Sequence, residues 1–176
     1  MKELKNYLWL IPFIGVIICI IALLTPAAFF ENRQYNHTIY RWIWGFYYDK
    51  LISNFDQSVT IESRFFDNPL QLISSAITST IIIACVIITL LSAYKRRSDL
   101  KNGIIKAKTF LIPAILIILS MITWMTLMEI AELQLYDLSM WNRYFPSFGV
   151  IGMFLGAGLI IVGFFLVKKN GSKPQL

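Results

Sequence analysis

The sequence predicts an all-α membrane protein, a four-helix transmembrane bundle with a small extracellular antiparallel β-sheet drawn from its first outer loop. Three observations predict it. Of 176 residues, 57% are hydrophobic, and mean hydropathy is +0.64, above the roughly 45–50% apolar usage of soluble domains. Four uncharged apolar stretches recur, between Lys5 and Glu31 and over 69–94, 109–128 and 146–167. Each supplies the ~20 residues a helix needs to cross ~30 Å of hydrocarbon with its backbone groups satisfied internally. Finally, the long polar interval between the first two stretches carries period-two patterning, the signature of half-buried strands.

The first span is placed at about 8–29. Its short basic lead resembles a signal peptide, but the apolar segment from Leu8 to Leu24 exceeds the usual ~7–15 residues and Pro26-Ala27-Ala28 is a poor cleavage site, so an uncleaved anchor is expected. The first outer loop, 30–69, contains Tyr40–Tyr48. Read as one strand from Thr38 to Tyr48, it puts Tyr40, Trp42, Trp44, Phe46 and Tyr48 on one side and Ile39, Arg41, Ile43, Gly45 and Tyr47 on the other. An aromatic belt on an interfacial helix is the competing reading of Trp42–Tyr48. Ser58–Phe66 alternates Val59, Ile61 and Phe65 with Thr60, Glu62 and Arg64 and reads as a second strand. Asp49–Gln57, with Ser53-Asn54 and Asp56, supplies the turn between them. Asn36-His37-Thr38 matches a glycosylation acceptor, a short pattern that arises often by chance; Asn170-Gly171-Ser172 matches it too.

The second span, 70–94, opens after Asn68-Pro69, a helix-start signal. Ala76, Ser79, Thr80 and Ala84 form a small-residue face suited to close packing. The inner loop, 95–107, turns at Asn102-Gly103. The third span, 108–130, continues past the membrane, with Ile130, Leu133, Leu135 and Leu138 interleaved among acids, so the second outer loop, 131–146, begins as helix on which the sheet can lean. The fourth span, 147–167, carries Gly149, Gly152, Gly156 and Gly163 within ~60° of one another. Close approach to span one or two is the expected use; self-association through the G-x-x-x-G pair is the alternative.

Charge sets the orientation. The N-terminus, middle loop and tail hold eleven Lys and Arg against two acids, while the long loops hold five against eight. Basic loops stay cytoplasmic, so both termini are expected inside, in a plasma membrane. This sorting also accounts for the net charge of +6 without a nucleic-acid partner. Cys19 and Cys85 fall at different depths, ~18 Å from the inner end of span one and ~20 Å from the outer end of span two, which argues for two buried thiols rather than a disulfide.

Residue sets for chemistry are sparse. C-x-x-C pairs, nucleophile motifs and phosphate-cradling glycine loops are missing from the sequence. His37, the only histidine, reads as a solvated loop residue. Catalytic, cofactor and metal sites are therefore expected to be none. Glu129 and Glu132, three apart on one helix face, read either as a cation or proton site or as an interface pair meeting Arg143, Arg64 or Arg41; the pair is favoured because groups at helix ends reach water cheaply.

Four spans, inside termini, a long first outer loop with strands, a short second one and an overshooting third helix resemble the claudin and peripheral-myelin-protein superfamily of tetraspan proteins. Trp42-Ile43-Trp44-Gly45-Phe46 echoes that family's G-L-W motif in a different order, and its paired loop cysteines are absent here. The resemblance implies the shape of a claudin-like protein rather than a barrier or pore. The expected function is a non-enzymatic scaffold, adhesion or interaction protein acting through the first extracellular loop, as a homo-oligomer or with another membrane protein. An accessory subunit of a larger membrane enzyme or transporter, or a small channel, is the alternative. The aromatic stretch is expected chiefly to fix the sheet to the helix ends, with recognition left to its exposed rim.

Overall fold

The computed structural model describes residue 7 and residues 10–53, 55–95, 97–101 and 105–171; the side chains at 97, 101, 170 and 171 lie outside the description. The expected basic lead at Lys2 and Lys5 and the Asn102-Gly103 turn fall outside it as well. In chain order the elements are α1 (Leu10–Leu24), β1 (Ala28–Asn32), β2 (His37–Arg41), β3 (Phe46–Ile52), β4 (Val59–Phe65), α2 (Pro69–Lys95), the short α3 (Arg97–Lys101) and a 3₁₀ turn (Ala107–Thr109). There follow α4 (Leu111–Tyr136), the one-turn α5 (Met140–Arg143), β5 (Phe145–Pro146) and α6 (Phe148–Gly171).

Three helical segments, Pro69–Lys95, Ala107–Tyr136 and Phe148–Lys169, are long and apolar enough to cross a membrane. Their outward faces are lined with large apolar side chains, among them Ile73, Ile77, Ile81, Ile87, Ile122 and Phe165, all exposed. Surface of that kind needs an apolar solvent, and the chain is an integral membrane protein. The first apolar stretch behaves differently. Its described helix is 15 residues, ~22 Å at 1.5 Å per residue, and the span placed at 8–29 is corrected at its outer end. Pro26 biases Thr25 away from helical dihedrals, and Ala27 N–H then donates to Arg41 O at 2.7 Å, drawing residues 28–32 into a strand.

The chain forms two compact units, 1–20 with 81–119 and 152–176, and 21–80 with 120–151. In the first unit, α1 and α6 meet through glycine. A Cβ on Gly156 would stand 2.5 Å from Cys19 Sγ and 2.6 Å from the Gly15 carbonyl oxygen, and one on Gly163 would stand 2.5 Å from the Pro12 ring. Gly152 is buried, while Gly158, on the other side of the helix, has nothing within 4 Å. Cys19 and Cys85 are both free and buried.

The second unit holds a five-stranded antiparallel sheet, ordered β4-β3-β2-β1-β5. It is larger than the first outer loop alone: β5 comes from the second, and β1 begins with Ala28 and Phe29, which were assigned to the first span. The single strand expected over Thr38–Tyr48 is also corrected. It is two strands with Tyr40 paired to Tyr48 and Arg41 to Tyr47. Trp42 N–H donates to Phe46 O at 2.8 Å and Gly45 N–H to Trp42 O at 3.1 Å, with Gly45 at φ +92°. This is a three-residue hairpin loop closed by a glycine in positive φ, and Gly45 is suited to it by lacking a side chain. The expected turn after Asp49 lies later, between Ile52 and Val59. There Asp56 accepts from Ser58 N–H (3.0 Å) and Ser58 Oγ–H (2.8 Å). Side-chain hydrogen bonds from Ser53 and Ser58 pull its carboxyl down to about 2.

Beneath the sheet, helix residues of the same unit make the core. Trp124 is fully buried, donating from Nε1 to Ser75 Oγ at 2.9 Å. The α2 face that is buried is Gln71, Ser74, Ser75, Thr78 and Ser79; of the expected small-residue face, Ala76, Thr80 and Ala84 are exposed. Large isoleucines interact as well with lipid tails as with other helices, whereas small and hydroxylated residues gain by facing protein.

Candidate functional site

Alternation along paired strands gives the sheet two chemically opposite faces. One face carries rings. Pairing puts Phe145, Phe29, Tyr40 and Tyr48 in one row and Phe46 beside Phe65 in the next. The five expected interaction residues are thus brought together by a hairpin and not by one extended strand. Tyr40 meets Trp42 and Tyr48, each at 6.4 Å between centroids. Trp42 meets Trp44 at 6.2 Å and Phe46 at 5.5 Å, and Trp44 stacks on Phe46 at 5.2 Å with 14° between planes. Phe65, which periodicity placed on a separate strand, completes the cluster edge-on to Phe46 and Trp44. All five are half-buried and Phe65 is exposed. Trp42 is tied to the helix, its Nε1–H donating to Leu24 O at 3.2 Å; Trp44 makes ring contacts and no side-chain hydrogen bond among the described residues.

Apart from Trp42, these rings make no hydrogen bond to a helix among the described residues. Ile43, fully buried at the hairpin tip, and Gly45, whose position lies against Leu72 and Ser75, attach the sheet to the helices at one end. The rest of the attachment is polar and belongs to the opposite face. Arg41 donates from a terminal guanidinium nitrogen to Glu132 Oε1 at 2.5 Å, and Gln71 Nε2–H donates to the same oxygen at 2.8 Å. The Arg41 and Glu132 side chains are only 11% and 2% exposed. The guanidinium lies over the Tyr144 ring at 4.2 Å and the Phe66 ring at 5.7 Å. One strand, two helices and the second outer loop are thereby joined at one carboxylate.

Glu132 therefore points inward while Ile130, Leu133, Leu135 and Leu138 are exposed, the reverse of the expected apolar contact face. Glu129 has a separate role, accepting from the Trp141 backbone N–H at 3.3 Å. His37 is corrected too: it lies on β2, half-buried, with Nε2 2.8 Å from Asp49 Oδ1 and its ring edge-on to Phe30.

This polar face opens into a cleft of about 610 Å³, bounded by the sheet, the start of α2, the end of α4 and α5–β5. Across it, Arg64 is bonded to the Tyr47 hydroxyl and pairs with Asp67 at 3.2 Å and Glu62 at 3.5 Å. Arg143 lies over Phe30 at 5.1 Å and Tyr144 at 5.6 Å. Burial pushes the Tyr144 phenol up, and Arg41 and Arg143 partly oppose the shift, so it stays a neutral hydroxyl at ordinary pH. The members of this face sit at the alternate positions of the aromatic stretch, Ile39, Arg41 and Tyr47. That alternation was visible in the sequence, but Gln71 and Tyr144 have no pattern linking them to it. No protein-family model matches the chain, and no curated protein matches it either.

Proposed function

We propose that this integral membrane protein is a non-enzymatic, claudin-like tetraspan scaffold that associates with a second copy, or another membrane protein, through the aromatic face of its sheet. The observation that carries the reading is the ring cluster. Tyr40, Trp42, Trp44, Phe46, Tyr48 and Phe65 touch continuously and keep part of their surface open. Aromatic residues are enriched at interface cores, where they bury large area at low entropic cost. The glycine stripe of α6 supports the same choice. Gly156 and Gly163 already lie against Gly15, Cys19 and Pro12 of α1, so the close-approach surface is occupied within the chain.

Native mass spectrometry from mild detergent tests this. The wild type is expected to retain a dimer or a partner. Trp44→Ala, which breaks no hydrogen bond, and Trp42→Ala are each expected to weaken association about thirtyfold, as loss of a hot-spot side chain does. Phe165→Ala, on an exposed helix face, is expected to leave it unchanged. Association indifferent to both tryptophans would exclude the aromatic face.

For the topology we take four spans with both termini cytoplasmic in the plasma membrane, α1 being the short fourth crossing. The eleven basic residues of the termini and middle loop support this orientation. In intact cells, an impermeant maleimide is expected to label Asn36→Cys and not Lys168→Cys; the reverse pattern would invert the chain.

A further inference from the structure

We infer that the polar cleft of the sheet is a seat for a phosphate oxyanion, with Arg143 as its anchoring cation. Three guanidiniums line the cleft, and two are matched by carboxylates. Arg41 has Glu132 at 2.5 Å, and Arg64 has Asp67 and Glu62 at 3.2 and 3.5 Å. Arg143 is held only by rings, Phe30 at 5.1 Å and Tyr144 at 5.6 Å, with no carboxylate within 4.0 Å among the described residues. It is half-buried, so its charge is partly withdrawn from water with no carboxylate in direct contact among the described residues, the lining acids Glu62 and Asp67 being paired to Arg64 and Asp49 to His37. Ring contacts use a guanidinium's faces and leave its in-plane donors, whose fork geometry fits two oxygens of one phosphate. Tyr144 is a residue of the same wall, and a neutral tyrosine hydroxyl is a donor suited to an oxyanion.

The volume, about 610 Å³, is in the usual range for a small-molecule site, roughly 300–1,000 Å³. Its place in the fold favours phosphate over other oxyanions. Pro69 and Gln71, which line the cleft, begin one candidate span. Segment ends of transmembrane helices lie at the depth of lipid headgroups, where a phosphodiester is the abundant anion. Leu135, Tyr136 and Ile39 then offer apolar wall to whatever the phosphate carries. The phosphate can come from a phospholipid headgroup or from a soluble phosphate, and the inference holds whatever the aromatic face meets.

The experiment is native mass spectrometry of the full chain from nonionic micelles holding equal amounts of phosphatidylglycerol and a diacylglycerol with the same acyl chains. The wild type is expected to retain phosphatidylglycerol and not diacylglycerol, with occupancy falling about tenfold in Arg143→Gln, the loss of a charge-assisted hydrogen-bond pair. Arg143→Lys keeps the charge but not the fork, and is expected to fall between the two. Displacement of the lipid by millimolar inorganic phosphate, or retention of phosphate alone by the wild type only, identifies the soluble source; lipid retained through that challenge identifies the headgroup. Equal retention of the two lipids by the wild type, with no phosphate retained, overturns the inference without recourse to any variant. Retention of either phosphate probe unchanged in both Arg143 variants overturns it equally.

Discussion

Replacing Glu132 with alanine is expected to destabilise the protein by about 3–5 kcal/mol, the cost of leaving a buried partner charge unmatched. Arg41 would keep its place over Tyr144 and Phe66 with no anion to meet it, and the Gln71 amide would lose the same acceptor oxygen. Glu132→Gln retains one acceptor oxygen at that point and is expected to cost less. The double variant Arg41→Met/Glu132→Leu is expected to recover most of the loss, since a buried ion pair often contributes no more than apolar residues of similar volume. Thermal unfolding in detergent, followed by intrinsic tryptophan fluorescence, measures all three. A Glu132→Ala protein that melts with the wild type would mean that water reaches the pair and that the sheet is attached by other contacts.

Substitution of Gly156 with leucine is expected to cost about 3 kcal/mol or to prevent folding, and Gly156→Ala about 1–3 kcal/mol, the range for overpacking a close contact. The obstruction is largely backbone, the Gly15 carbonyl oxygen 2.6 Å from where the Cβ would be, so no side-chain rotation relieves it. Gly158→Ala is the matched control, made on the same helix into open space. It is expected to be neutral or to stabilise by up to ~1 kcal/mol, the helix propensity difference between the two residues. Melting curves of the two alanine variants that coincide would show that α1 and α6 do not approach as closely as the glycines allow.

Several features were legible in the residues alone. Three membrane-competent helices follow from run length and hydropathy, which need no partner to be read. The continuation of the 109–128 run into a helix ending at Tyr136 followed from apolar spacing beyond the last hydrophobic window. The aromatic rings share one side of the sheet, but not because they lie on one strand. One strand and a tight hairpin both place Tyr40, Trp42, Phe46 and Tyr48 on a common side, because a three-residue loop returns the chain without reversing its alternation. Gly45 was the available clue: its positive φ closes the loop, and a glycine inside a strand pattern commonly marks such a break.

Readable from the residues alone are the membrane character, three of the four expected long apolar helices and the two-sided chemistry of Tyr40–Tyr48. Those are properties of neighbours along the chain, set by hydropathy and by the periods of helix and strand. Which side of that stretch turns inward depends on contacts between elements far apart in the chain. A sheet face of Trp, Tyr and Phe would ordinarily be assigned to the core, yet here Arg41 goes in and the rings remain half-open. The physical reason is Glu132: an acid near the end of an apolar helix must find a cation and a second donor or remain in water. It finds Arg41, 91 residues away, and Gln71, 61 residues away. Satisfying that one carboxylate turns the polar face of the sheet toward the helices and leaves the aromatic face outward, a choice no local pattern in the chain encodes.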